Sequence, residues 1–208
     1  MMRSSLYLAL TALTLVALVG ILPLRADALA IQPGDFGPGA QITTFDGLPL
    51  PFGANPAPLV IDGHSITTDS GNFRYVRGPL CFSGDCVGND TGAGFIDVVL
   101  SQSYTQVGAY VRAAQDSWSI QADFFDASDV LVGSTVVTGG TALEFAGWED
   151  VGGISRIRYT DLNPNDRIEV LDNLTVAGAR SVVPEPSSAL LTAIALGAVH
   201  ARARRRKR

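Results

Sequence analysis

Lysine is missing from the whole central part of the chain; the only one is Lys207, the next-to-last residue. Between Ile31 and Val183 there are 7 arginines against 18 aspartates and glutamates, a net charge near −11 beside the −5 of the full sequence. A surface that acidic repels phosphate backbones and anionic headgroups, which argues against nucleic-acid or anionic-lipid binding and favours solubility, or cations, outside the cell. Histidine and cysteine are equally scarce. His64 is the single histidine of this stretch, and Cys81 and Cys86 are the only cysteines. A zinc site built from two cysteines without nearby histidines would be incomplete. An amphipathic helix of useful length is also missing, which removes helical-bundle and α/β architectures.

Catalysis finds few candidates in such a composition. Asp62, His64 and Ser65 lie too close in sequence to stand for a triad, whose members converge in space from separate segments. Carboxylates are plentiful, so a glycoside-hydrolase pair stays open, but no two stand out by spacing. No catalytic residue is assigned, and the chain is read as a non-enzyme.

What is present is a β pattern. Trp118, Ile120, Ala122 and Phe124 alternate with Ser117, Ser119, Gln121 and Asp123, a period of two that fits a half-buried strand. Further strands are expected at 95–100, 107–112, 130–137, 143–148, 154–159 and 167–176. Turn chemistry separates them at 126–129, 139–140, 152–153 and 163–166. Earlier in the chain the signal is weaker, with strands expected at 41–45, 59–62 and 73–76 and loops or an edge around Pro49, Pro51, Pro56 and Pro58. The fold class is therefore all-β, an antiparallel β-sandwich of jelly-roll-like character, over residues 31–180. Cys81 and Cys86 are expected to close a small disulfide loop in an oxidising compartment.

Both ends differ from this middle. Arg3 followed by the apolar run Leu6 to Leu22 and the small-x-small triplet Ala28-Leu29-Ala30 reads as a signal peptide, residues 1–30, with cleavage read at Ala28 and Ala30 and a mature chain starting at Ile31. The alternative is an uncleaved N-terminal membrane helix. At the other end come Val183-Pro184-Glu185-Pro186-Ser187, an apolar stretch over 188–201, and the basic tail 202–208. The prolines enforce an extended peptide. The 15 residues from Ser187 to Ala201 would reach about 22 Å as a helix, against a hydrocarbon core of about 30 Å. A short transmembrane helix is the expectation, with an ordinary tail anchor as the plain alternative.

This tripartite end resembles the PEP-CTERM sorting signal of Gram-negative, exopolysaccharide-producing bacteria. The resemblance covers residues 181–208 and implies an exosortase-type enzyme as partner, an inner-membrane intermediate held by the C-terminal helix, and delivery to the cell envelope, cell surface or extracellular matrix. A looser resemblance joins Asp123-Phe124-Phe125-Asp126-Ala127, Leu131-Val132-Gly133-Ser134 and Leu171-Asp172-Asn173-Leu174-Thr175-Val176 to the β-sandwich ectodomains that such tails carry, some of which look like carbohydrate-binding jelly rolls.

Two binding functions and one hydrolytic function follow as expectations. Polysaccharide binding would use exposed aromatic rings, for which Trp148 beside Glu149 and Asp150 is the candidate, core packing being its alternative. Trp118 is placed in the core, and Tyr104 and Tyr110 are not placed by the pattern. Calcium binding, as in an adhesion module, would use Asp161, Asn163, Asn165 and Asp172 at EF-hand-like spacing. There Asp166 stands where glycine is needed, and a plain Asn/Asp-rich turn explains the same residues. Hydrolysis of matrix sugars is the third. No cofactor other than calcium is implied.

Overall fold

In the computed structural model the chain is described over residues 28–180, apart from positions 79, 83, 91–93, 116 and 164–166. The described residues form twelve strands. These are β1 (Leu29–Ile31), β2 (Gln41–Thr43), β3 (Gly53–Pro56), β4 (Leu59–Ile61), β5 (His64–Thr68), β6 (Asn72–Arg77), β7 (Asp85–Asn89), β8 (Phe95–Ala113), β9 (Trp118–Phe125), β10 (Leu131–Gly139), β11 (Glu144–Asp161) and β12 (Ile168–Arg180). All pairings are antiparallel.

Two long strands organise the rest. β8 and β11, of 19 and 18 residues, pair with each other and bend together. The ladder runs from Glu144 opposite Val111 to Glu149 opposite Gln106, shifts register around Ile154, and resumes from Arg156 opposite Val99 to Thr160 opposite Phe95. Bulges of this kind let a strand leave one layer and enter another. The β8/β11 pair therefore belongs to both layers of the sandwich. In one layer the order is β10, β9, the second half of β11, the first half of β8, β5 and β4. In the other it is β1, the first half of β11, the second half of β8, β12, then β2 and β7 along the far edge of β12, followed by β6 and β3.

The core lies between the layers. Ile120, Ala122 and Phe124 of β9, Val107, Ala109 and Val111 of β8, and Ile157 and Tyr159 of β11 are fully buried. The Phe124 ring meets Trp148 across the gap, nearly parallel, with centroids 5.7 Å apart. The period-two alternation read in the sequence is the alternation between this core and the outer faces.

Several sequence expectations change in detail. Segments 95–100 and 107–112 are one strand, and so are 143–148 and 154–159. Gly152-Gly153, read as a turn, lies in the β11 bulge, where Gly153 takes φ 93°. Strands β1, β3, β5 and β7 had no strong sequence signal. The strand expected at 59–62 ends at Ile61, where a two-residue hairpin turn joins β4 to β5. Asp62 and Gly63 both have positive φ (50° and 81°) and Ile61 faces His64, as the twist of a tight hairpin demands.

The C-terminal part of the expected architecture is corrected. Among the described residues no helix is long and apolar enough to cross a membrane, and the one helical element is the 3₁₀ turn Pro33–Asp35. The apolar residues described here sit at alternate positions of strands and are spent between two layers. The expectation of a sandwich carrying a transmembrane helix is withdrawn on that finding. With it go the PEP-CTERM assignment, the exosortase partner and the inner-membrane intermediate. The segments that suggested them, 183–187 with Val183, Pro184, Glu185, Pro186 and Ser187, then 188–201 and 202–208, lie outside the described residues, as do residues 1–27.

Candidate functional site: an aromatic row on one face

The outer face of the β1-to-β3 layer is built around a pair of facing glycines. Gly108 of β8 and Gly147 of β11 are in register, and the Phe145 ring lies over both; a Cβ on either would come within 2.5 Å of it. Glycine is required at both positions because the ring occupies the space a side chain would take. Phe145 faces Tyr110 across the ladder, with ring centroids 5.2 Å apart and an edge-to-face tilt of 71°. Tyr110 stacks in turn on Phe82, at 4.2 Å and 17°, while Phe36 meets the other edge of Phe145 at 5.9 Å and 86°. Four rings thus run in a row, Phe36, Phe145, Tyr110 and Phe82. Phe145 in the middle is buried, and Phe82 at the end is 54% exposed.

Two loops hold the ends of the row. Cys81 and Cys86 form a disulfide, and the loop between them carries Phe82. Asp172 of β12, opposite Tyr110 and fully buried, accepts a hydrogen bond from the Phe82 backbone N–H at 2.8 Å. At the other end Gln106 of β8 accepts from Gly37 N–H at 2.9 Å and donates to the Asp35 carbonyl at 3.2 Å and to Glu149 at 3.1 Å. Val170, Val76, Cys81 and Cys86 pack as a second small core beneath the disulfide loop.

The outer face of the other layer is also polar and aromatic, but it is closed on itself. Ser134, Asp123, Arg158, Asp97 and Thr67 stand in register across five strands. Arg156 lies over the Phe125 ring at 3.7 Å and Arg158 over Phe95 at 4.0 Å. Asp97 receives hydrogen bonds from Arg156 Nη1 at 2.9 Å and from Arg158 Nε and Nη2, and Arg156 also pairs with Asp129. The guanidinium groups occupy the ring faces that a ligand would need.

Among the residues singled out from the sequence, Trp148 turns inward. Its ring is taken up by Phe124 and by Gly133 of β10, where a Cβ would stand 2.0 Å from Trp148 Cε2. The Nε1 of Trp148 is buried and meets no hydrogen-bond partner among the described residues. Asp161 ends β11 in one layer, its Oδ1 accepting from Asn163 N–H at 2.8 Å. Asp172 sits inside the other layer, where its Oδ1 accepts from Asn173 N–H. The two are thus on strands separated by β8. Asn165 lies outside the described residues, and among the described residues no cluster of three or more His, Cys, Asp or Glu side chains could hold a metal ion. Asn163 lines a shallow open depression of about 290 Å³ with Ser117, Trp118, Ser119 and Leu162. Trp118 contributes little to its surface, being 3% exposed with its Nε1–H donated to the Gly140 carbonyl at 2.7 Å.

His64 is buried at the start of β5. Its Nδ1 accepts from Ser101 N–H at 3.1 Å. Burial pushes its pKa below the usual 6.5, with the nearby Asp62 carboxylate pulling it upward. Asp62 itself accepts from Thr43 Oγ1 at 2.9 Å. The histidine is held by the fold, with Asp62 turned to another strand. Phe36, Phe82 and Phe145 were not singled out in the sequence, and Tyr110 was named there without a place. Gly108 and Gly147 within strands are the cue to their position, since a strand glycine marks a close approach.

No family model and no curated protein sequence matches this chain. Among solved structures it is similar to a family 6 carbohydrate-binding module whose binding sub-sites were dissected by crystallography and calorimetry. That match has 17% identity and a TM-score of 0.36, over 59% of this chain and 100% of the module. It is also similar to the family 11 carbohydrate-binding module of a cellulosomal cellulase of Clostridium thermocellum, at 13% identity and a TM-score of 0.34, over 67% and 95%. A family 6 module from Clostridium stercorarium in complex with cellobiose matches at 15% identity and a TM-score of 0.29, over 73% and 94%.

Proposed function

We propose that this chain is a non-catalytic, exported carbohydrate-binding module that takes a neutral polysaccharide on the aromatic row. The observation that supports the reading is Phe82, 54% exposed yet fixed in place by the Tyr110 stack, the disulfide loop and the bond to Asp172. A large apolar ring held rigidly at the surface has little conformational entropy left to lose when a sugar face settles on it. Tyr110 adds a phenolic group beside it. The acidic balance of the domain favours a neutral glycan over a uronic-acid polymer. The buried carboxylates Asp97, Asp150, Asp161 and Asp172 are each engaged by neighbouring backbone or arginine donors, a structural use that supports binding over hydrolysis.

Affinity electrophoresis through gels containing a neutral glucan or xylan tests this. The expected result is retardation of the wild-type domain by at least one of them, reduced several-fold in Phe82→Ala. Unretarded migration in both gels, or retardation unchanged in Phe82→Ala and Tyr110→Ala, would overturn the assignment of the row.

A further inference from the structure

We propose that the leader is removed between Ala28 and Leu29, two residues earlier than the Ala28-Leu29-Ala30 triplet suggests, so that the mature protein keeps all of β1. The sequence offers two overlapping small-x-small frames, Ala26-Asp27-Ala28 and Ala28-Leu29-Ala30. A leader-removing endopeptidase that reads small residues at the first and third positions before the cut could use either. The step is hydrolysis of one amide: water adds its oxygen to the Ala28 carbonyl carbon, the C–N bond breaks, and Leu29 leaves as the new amine.

The fold distinguishes the two frames. β1 pairs with β11 through Leu29 opposite Glu149, Ala30 opposite Trp148 and Ile31 opposite Gly147. Among the described residues β9 pairs on that side of β11 with residues 156–161 alone, and β1 covers the edge at 147–149. Ile31 is 2% exposed, and its carbonyl oxygen and Cγ1 stand 3.0 and 3.1 Å from where a Gly147 Cβ would be. A cut after Ala30 would remove two of the three register pairs and leave an ammonium on that buried residue, which desolvates a charge. A cut after Ala28 leaves the ammonium on Leu29, 61% exposed and in register with the Glu149 carboxylate.

This rests on the export reading, and the test separates the two. The full chain is expressed in an exporting bacterial host, and the intact mass of the exported protein is measured for wild type, Ala26→Gln and Ala30→Gln. The expectation is a wild-type chain beginning at Leu29, unchanged start and yield in Ala30→Gln, and loss of that product in Ala26→Gln. Ala30 is exposed, so its replacement leaves the fold intact. A wild-type chain beginning at Ile31, or processing blocked by Ala30→Gln, would overturn the inference and leave export standing. A chain still carrying Arg3 would overturn the export reading itself.

Discussion

Removing the Asp97 carboxylate should cost the sandwich a large share of its stability, although Asp97 faces outward. Asp97→Ala takes away the acceptor for three charge-assisted hydrogen bonds from two arginines, whose side chains are 18% and 36% exposed. Exposed pairs contribute about 0.2–1 kcal/mol, whereas breaking a buried pair costs about 3–5 kcal/mol. This site falls between them. Arg156 keeps Asp129 as a partner, so its loss is partial, while Arg158 is more than a third exposed and is screened by solvent. An estimate of about 2–4 kcal/mol follows, or a fall in Tm of roughly 5–15 °C for a domain of this size. Urea unfolding followed by circular dichroism gives the midpoint and slope directly. Adding Arg158→Met to Asp97→Ala should recover part of the loss, because it removes the cation left without its partner. A loss below about 1 kcal/mol, or no recovery in the double variant, would refute the view that this row binds five strands together.

Other outcomes follow from the same geometry. The lowered His64 pKa means that the folded domain binds fewer protons than the unfolded chain between the folded value and about 6.5. Its contribution is therefore complete above pH 6.5 and is lost as pH falls through the folded value, so Tm should fall more steeply below pH 6.5 in wild type than in His64→Gln. Gly133→Ala drives a Cβ into the Trp148 indole and should cost about 1–3 kcal/mol, with an altered near-ultraviolet tryptophan signal. Replacing Cys81 and Cys86 by serine opens a short loop, at a cost of about 2 kcal/mol in urea midpoint analysis. It should weaken polysaccharide retardation more than its stability loss explains, because it frees Phe82.

The layers of the sandwich were legible wherever one face of a strand is apolar and the other polar, as in Trp118 to Phe124. Pairing was not legible. Whether Gly152-Gly153 turns the chain back or bulges it onward depends on what β8 does opposite, and glycine serves both equally. His64, Ile66 and Thr68 alternate inward in β5, but two of the three are polar, so the alternation presents no apolar face to read. The aromatic row was hidden for a related reason. Phe36, Phe82, Tyr110 and Phe145 come from two loops and two strands, and only the β8/β11 register with its glycine pair brings them together. Trp148 drew attention by its carboxylate neighbours, whereas the parity of β11 sends Phe145 outward and Trp148 inward.

The central claim is that the exposed end of the aromatic row receives sugar. An NMR titration of the isotope-labelled domain with a neutral oligosaccharide tests it most directly. The account predicts that the ring signals of Phe82 and Tyr110 and the amide signals of the 80–86 loop shift together and saturate, while those of Phe95 and Phe125, roofed by arginine, stay still. Shifts confined to Phe95, Phe125 and the Asp97 row, or no saturable shift at all, would contradict it.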